Sequence, residues 1–190
     1  PMPITVRGID ASYQHVITTP HSDAVYALYW QGQDNSAQSQ VKWQLLGQTL
    51  ESGFFNYMRT EKQLGYIVMA GYNAKFTVPG IFFMIQSPVA NADQLHPMVI
   101  EWRKQQLAAL TAISDADFAQ HKAAVMQSLQ EKAKTSEQEA TEYWYELAMG
   151  FAKFDYQEQL EAALSALDKT QWIAFIEALQ QETQPAQLLI

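Results

Sequence analysis

The first half of the chain alternates short runs of β-branched and aromatic residues with one longer amphipathic segment. Such short runs predict strands, because these side chains suit a pleated, half-buried surface. The longer segment repeats apolar residues at near-helical spacing and predicts a helix, with Gly53 as its end or a kink. The predicted strands are residues 13–19, 24–31, 64–72 and 81–86, and the helix spans residues 37–52.

From residue 91 onward the apolar side chains recur three and four positions apart, which predicts a series of helices. Pro97 falls in the first turn of the first of these helices, where proline is tolerated. Ser114, Ser136 and Asp168 stand before further apolar segments as candidate N-caps. Residues 187–190 have the composition of a short last strand. The predicted apolar faces contain Leu95, Met98, Val99, Trp102 and Leu110, then Phe118, Val125 and Leu129, then Tyr143, Trp144, Leu147 and Phe151, then Trp172, Phe175, Ile176 and Leu179.

The order of elements is strands, a helix, two strands and then several helices. This order predicts an α+β fold, a largely antiparallel sheet with helices packed on one face. The chain has no internal repeat and no break in composition, so we expect residues 1–190 to form a single domain, with residues 1–12 as a linker. The chain begins with Pro1 rather than Met, which suggests a piece of a longer protein.

Composition narrows the classes of function. Hydrophobic residues make up 48% of the chain and aromatic residues 12%, as expected of a folded globule. A net charge of −8 disfavours binding to nucleic acid or anionic lipid. No apolar run approaches the roughly 18 residues of a membrane span. The absence of cysteine excludes disulfides and thiolate metal sites.

One stretch of the chain carries a specific motif. Residues 58–68 are Met-Arg-Thr-Glu-Lys-Gln-Leu-Gly-Tyr-Ile-Val, followed by Gly80 in a hairpin and by Gln86-Ser87 at the end of a strand. This pattern resembles the C-terminal, fourth and non-catalytic domain of the insulinase (pitrilysin) family of zinc metallopeptidases. Met58 replaces the leucine of the family pattern, a mild apolar exchange. The resemblance covers most of the chain and implies the family's α/β sandwich domain.

The resemblance also implies a function. The parent protein would be a zinc metalloendopeptidase that encloses peptide substrates in a chamber, and this domain would form part of the chamber wall. Arg59 and Tyr66 match the family residues that hold the substrate backbone, through a planar guanidinium fork and a phenol. Gln63 and Gly65 would support the motif structurally, by a side-chain hydrogen bond and a tight turn. On general grounds alone, Arg59 would instead cap carbonyls or pair with a carboxylate such as Glu61.

Zinc in the parent would sit on another domain, in a His-x-x-Glu-His helix. None of the four histidines here has that spacing, so we expect this chain to bind no metal and to be inactive alone. His121 is expected at the edge of the core. The aromatic residues Trp102, Tyr143, Trp144 and Trp172 are expected in the core, unless some of them face a neighbouring domain of the parent.

Three functional readings remain open. The parent is an active peptidase, or a family member without zinc that serves as a structural or peptide-binding subunit, or the chain is a free-standing binding module. The expected partners are peptide substrates and the N-terminal domains of the same parent chain. The resemblance favours a periplasmic over a cytoplasmic location. Substrate identity and oligomeric state are left open.

Overall fold

A computed structural model describes residues 12–17, 20, 22–181 and 187–189. Within this part of the chain five strands and six α-helices are formed, and a π-helical segment continues the first helix. The strands are β1 Ser12–Gln14, β2 Ala24–Gln31, β3 Ile67–Tyr72, β4 Gly80–Ser87 and β5 Gln187–Leu189. The helices are α1 Ala37–Phe55 with the π-helical segment Asn56–Glu61, α2 Ala92–Leu110, α3 Asp115–Leu129, α4 Ser136–Met149, α5 Tyr156–Ala166 and α6 Lys169–Gln181.

The strands lie in the order β1-β5-β2-β4-β3. Antiparallel pairing joins β2 to β4, β3 to β4 and β2 to β5. Among the strands that the structure describes, only the short β1 and β5 pair in parallel. β4 therefore lies in the middle of an antiparallel trio, with β3 as the edge strand. The predicted α+β class with a largely antiparallel sheet is confirmed.

The core lies between one face of this sheet and the helices. Alternate residues of β2 and β4 point into it, as the two-residue period of a strand requires. The ring of Phe54 on α1 lies 5.2 Å from Phe83 on β4 and 5.1 Å from Trp102 on α2, edge to face. α1 and α2 therefore cover the same face of the sheet. Fully or nearly fully buried aromatic residues at this layer are Tyr26, Trp30, Phe54, Phe83, Trp102 and Trp172.

Several predicted boundaries are wrong. Gly53 neither ends nor kinks the first helix, since α1 continues to Phe55 and then widens into the π-helical segment. β3 begins at Ile67 and not at residue 64. The first strand, predicted for residues 13–19, ends at Gln14; Thr18 and Thr19 lie outside the described residues. Residues 1–11 of the predicted linker also lie outside them, whereas Ser12 begins β1.

The predicted helix starts are correct in two of three cases. Ser114 accepts from the backbone N–H of Asp117, and Asp168 accepts from that of Gln171 at 2.7 Å. The third cap is Thr135 and not Ser136. The Thr135 hydroxyl accepts from the N–H of Gln138, so the helix begins one residue after it. Serine is by type the slightly better N-cap of the two, so tertiary placement and not residue type selects Thr135.

Two helices differ from the prediction in what they bury. No element is predicted for the segment that forms α5, which buries Leu160, Ala163 and Leu164. In contrast, α4 carries no buried residue. Trp102 and Trp172 are core residues as expected, but Tyr143 is half exposed and Trp144 is 71% exposed. The core assignment of those two aromatics is wrong.

His96 is expected to make stability depend on pH. Its Nδ1 lies 3.0 Å from the hydroxyl of Tyr26. Burial lowers the pKa of His96, and the nearby Arg103 guanidinium lowers it further. Since histidine in an unfolded chain has a pKa of about 6.5, the unfolded chain takes up this proton first as the pH falls. This contribution to stability is therefore complete above about pH 6.5 and is lost progressively below it.

The measurement is urea unfolding between pH 7.5 and 5.5, a range in which most carboxylates stay ionised. We expect the wild-type chain to lose more unfolding free energy over this range than His96→Gln, whose side chain keeps a polar group near Tyr26. Identical pH dependence of the two proteins would contradict the assignment to His96.

Candidate functional site

The motif forms an elbow between α1 and β3 that is anchored on both sides. Met58 and Leu64 are buried, and the Leu64 N–H donates to the Met58 carbonyl at 2.9 Å. Between them Gln63 has a φ of 53°, the left-handed conformation that reverses the chain. The π-helical turn before it exposes Arg59 on its outer side. The elbow thus presents an exposed cation from a rigid base.

Arg59 and Tyr66 are brought together by this elbow. The Arg59 Nη1 donates to the backbone carbonyl of Tyr66, and the guanidinium carbon lies 5.6 Å from the centre of the Phe55 ring. A guanidinium has five N–H donors, so one bond to a carbonyl leaves donors directed at solvent. The contact fixes the orientation of the fork while keeping it accessible.

The Tyr66 side chain is 49% exposed and belongs to a hydrogen-bonded cluster. Its hydroxyl donates to the Asp23 carboxylate at 2.8 Å. The Gln86 amide donates both to the Tyr66 hydroxyl and, at 3.3 Å, to the same carboxylate. The hydrogen bond to Asp23 raises the pKa of Tyr66, so the phenol stays neutral. The phenol proton is thus directed at Asp23.

Asp23 and Gln86 are site residues that sequence analysis did not assign. Asp23 lies 43 residues before Tyr66, between the first two predicted strands, and Gln86 is predicted only as the end of the strand that follows the motif. The antiparallel register places the end of β4 between the start of β2 and the start of β3. Only this strand register shows that Asp23 and Gln86 lie beside Tyr66.

The two residues proposed as structural support act differently from the expectation. Gln63 is exposed, and within the described part of the chain its side chain has no hydrogen-bond partner; its contribution is the left-handed backbone. Gly65 does not provide the turn. A Cβ on Gly65 would lie 2.2 Å from the Gln86 carbonyl oxygen, so glycine is required for close approach of two backbones. That approach brings Tyr66 within reach of Gln86.

A zinc site does not fit the described residues. No three side chains of histidine, aspartate or glutamate among them converge to hold a metal ion. His121 is half-buried at the edge of the core, as predicted. Among the helices that the structure describes, none is both long and apolar enough to cross a membrane.

The fold and the motif have clear counterparts. Residues 45–144 match the family model for the PQQ synthase PqqF-like C-terminal lobe domain 4. Insulin-degrading enzyme-like 1, peroxisomal, from Arabidopsis thaliana is 31% identical over 137 residues, which are 72% of this chain and 14% of that protein. The crystal structure of pitrilysin superposes with a TM-score of 0.80 at 24% identity, covering 94% of this chain and 19% of that one. An inactive peptidase domain from Bordetella parapertussis shares the fold, with a TM-score of 0.67 at 11% identity over 88% of this chain and 92% of that one.

These matches define a peptidase-family α+β domain from a C-terminal lobe. The chain belongs to the insulinase (pitrilysin) family of zinc metallopeptidases, as a C-terminal domain of that family. It spans 14% of the length of the Arabidopsis relative and 19% of the pitrilysin chain.

Proposed function

We propose that this chain is the C-terminal, non-catalytic domain of a zinc metalloendopeptidase that cleaves peptides. It forms part of the wall of an enclosed chamber and contacts the substrate through Arg59 and Tyr66, while the zinc is held by a different domain. The observation that carries this proposal is the exposed cluster at the elbow, where an oriented guanidinium lies beside a half-exposed phenol.

The residues of the elbow act by binding and orientation. The free N–H groups of Arg59 donate to a substrate carbonyl, and the fork fixes the direction of approach. The Tyr66 hydroxyl is held by Asp23 and Gln86, so its ring stands at a defined position against the substrate backbone. Neither side chain is a nucleophile. Zinc held by the other domain would supply the activation of water, and Arg59 and Tyr66 would hold the peptide backbone in position beside it.

A second candidate function is a zinc-less family member that acts as a structural or peptide-binding subunit. The observation that supports this alternative is the shared fold with an inactive peptidase domain. The elbow would then bind peptide in the same way, without cleavage. The two candidates differ in the residues of another domain, so a measurement of zinc and activity in the parent distinguishes them.

The exposed face of α4 supports a second partner, the N-terminal domains of the same parent chain. Tyr143, Trp144 and Leu147 are about half exposed or more, and α4 adds Glu142 and Glu146 with no lysine or arginine. A contiguous group of exposed aromatic and apolar side chains, unlike a single one, is typical of an interface. A periplasmic location stays a prediction from the resemblance.

The test is complementation. Zinc content and cleavage of a fluorogenic peptide are measured for this chain, for the N-terminal portion of the parent, and for their mixture. We expect the chain alone to bind no stoichiometric zinc and to be inert, and the mixture to cleave the peptide. Zinc or activity in the chain alone would contradict the placement of the chemistry, and a zinc-free, inert parent would favour the second candidate.

The contribution of α4 to this assembly is tested with Trp144→Glu. We expect it to weaken association with the N-terminal portion about tenfold or more, because an interfacial tryptophan is commonly a hot spot. Val89→Glu is the matched control, since Val89 is also an exposed apolar residue but lies after β4. If Trp144→Glu bound the N-terminal portion as tightly as Val89→Glu does, α4 would be excluded as the contact surface.

A further inference from the structure

A cavity of about 340 Å³ opens between α1, α3 and the edge strand β3. Phe55 and Glu51 line it from α1, His121 from α3, and Val68, Met69 and Ala70 from β3. Val68 and Ala70 are buried on the helix-facing side of the sheet, whereas Met69 is 46% exposed on the other side. Because consecutive residues of both sides line the cavity, it lies along the outer edge of β3. We call this cavity the β3 groove.

The backbone of β3 offers hydrogen-bonding groups to this groove. The Asn73 N–H donates to the Gly80 carbonyl at 2.9 Å, so Asn73 and Gly80 are a hydrogen-bonded pair. In an antiparallel ladder such pairs alternate along the strand. Gly71, Met69 and Ile67 therefore bond to β4. The N–H and C=O groups of Val68 and Ala70 point to the opposite edge, which is the side of the groove.

The side chains around the groove specify a ligand that is apolar and basic. Phe55 and Met69 are large, apolar and partly exposed. Glu51 is the acidic residue among the described lining residues, which also contain His121 but no lysine or arginine. The groove also reaches the elbow, because the Phe55 ring that lines it contacts the Arg59 guanidinium. A ligand that fills the groove therefore extends toward Arg59 and Tyr66.

We propose that the β3 groove binds an extended peptide segment that adds to the outer edge of β3 as a further strand. The backbone groups of Val68 and Ala70 pair with the peptide backbone, Phe55 and Met69 contact its apolar side chains, and Glu51 favours a basic one. Backbone pairing gives affinity for many sequences, and pockets for alternate side chains give selectivity. This inference rests on the proposed function, since it names the peptide class that leads to the elbow.

The first test uses Met69→Lys. The probe is a fluorescein-labelled octapeptide with valine on both faces of the extended strand and lysine at every fourth position, titrated against this chain by fluorescence anisotropy. We expect Met69→Lys to weaken binding about tenfold, because it adds a cation to a groove that selects basic peptides. Val89→Lys, an equally large charge change on an exposed valine outside the groove, is expected to bind like wild type. Thermal unfolding of both variants establishes that they fold.

The second test addresses backbone pairing and needs no change in the protein. Alternate residues of a strand pair with the same neighbour, so two probes are made with N-methyl groups on one or the other alternate set of amides. We expect one methylated probe to lose binding and the other to retain it. If both methylated probes bound equally well, or if both lost affinity equally, the proposal of strand addition to β3 would be overturned.

The combined results separate this inference from the proposed function. Loss of affinity with Arg59→Ala but not with Met69→Lys overturns the groove and leaves the elbow contact standing. Loss with Met69→Lys but not with Arg59→Ala supports the groove and contradicts the elbow contact. No measurable binding of the probe to the wild-type chain overturns the groove, while complementation with the N-terminal portion still tests the proposed function.

Discussion

Arg59→Ala in the full-length parent protein is expected to lower kcat/KM for peptide cleavage about 100-fold, the size of effect seen when one preorganised hydrogen-bond donor is removed. The guanidinium is exposed and oriented by the Tyr66 carbonyl, so its remaining N–H groups face solvent, where the proposed substrate would bind. The melting temperature should change little, because a single exposed polar side chain contributes little to folding. Steady-state kinetics and thermal unfolding of the same preparation measure both quantities.

Two variants control this experiment. Arg59→Lys keeps the charge but loses the planar fork, so we expect an activity between those of wild type and Arg59→Ala. Lys62→Ala removes another exposed cation of the same elbow, whose ammonium lies 5.2 Å from the Tyr57 ring, and should leave kcat/KM unchanged. Wild-type kinetics in Arg59→Ala would contradict the site, and an equal loss in Lys62→Ala would indicate a general effect of charge.

Gly65→Ala is expected to destabilise the domain by roughly 2–4 kcal/mol. The added Cβ would lie 2.2 Å from the Gln86 carbonyl oxygen, and the obstacle is backbone rather than a flexible side chain. Relief of the clash requires the elbow to move away from β4. The expected result is therefore a lower urea midpoint together with a weakened Tyr66 cluster.

Gly71→Ala is the matched control for this change. Gly71 lies in β3, six residues after Gly65, and a Cβ there would have no neighbour within 4 Å. We expect a change within about 0.5 kcal/mol, or a small gain from reduced freedom of the unfolded chain. Similar stability of the two variants would show that the close approach at Gly65 is readily relaxed.

Much of the secondary structure could be predicted because it depends on local patterns. The alternation in β2 and β4 matches the two faces of the sheet, and the apolar faces of α2 and α6 contain the residues that are buried. Caps at Ser114 and Asp168 act within three residues of themselves. Each of these features depends on residues within a single helix or strand.

α4 and α5 show where local pattern is insufficient. The apolar residues of α4 have helical spacing but stay largely exposed, although the Tyr143 ring contacts Phe154. In contrast, α5 buries a narrow stripe after an N-cap whose side chain makes no capping bond. Whether an amphipathic face is buried depends on which element lies opposite. The identity of the opposing element depends on how segments that are distant in the sequence pack together.

The residues of the candidate site also fall into two groups: those that the sequence motif identifies and those that only the structure identifies. The motif, and with it the family and the candidate residues Arg59 and Tyr66, can be found from the sequence alone, since these residues lie in one short segment. Only the tertiary structure added Asp23 and Gln86, which the strand register brings to Tyr66. It also decided why Gly65 is glycine, because the close approach of Gln86 follows from the pairing of β3 with β4. Contacts between strands depend on register, and register depends on the whole sheet.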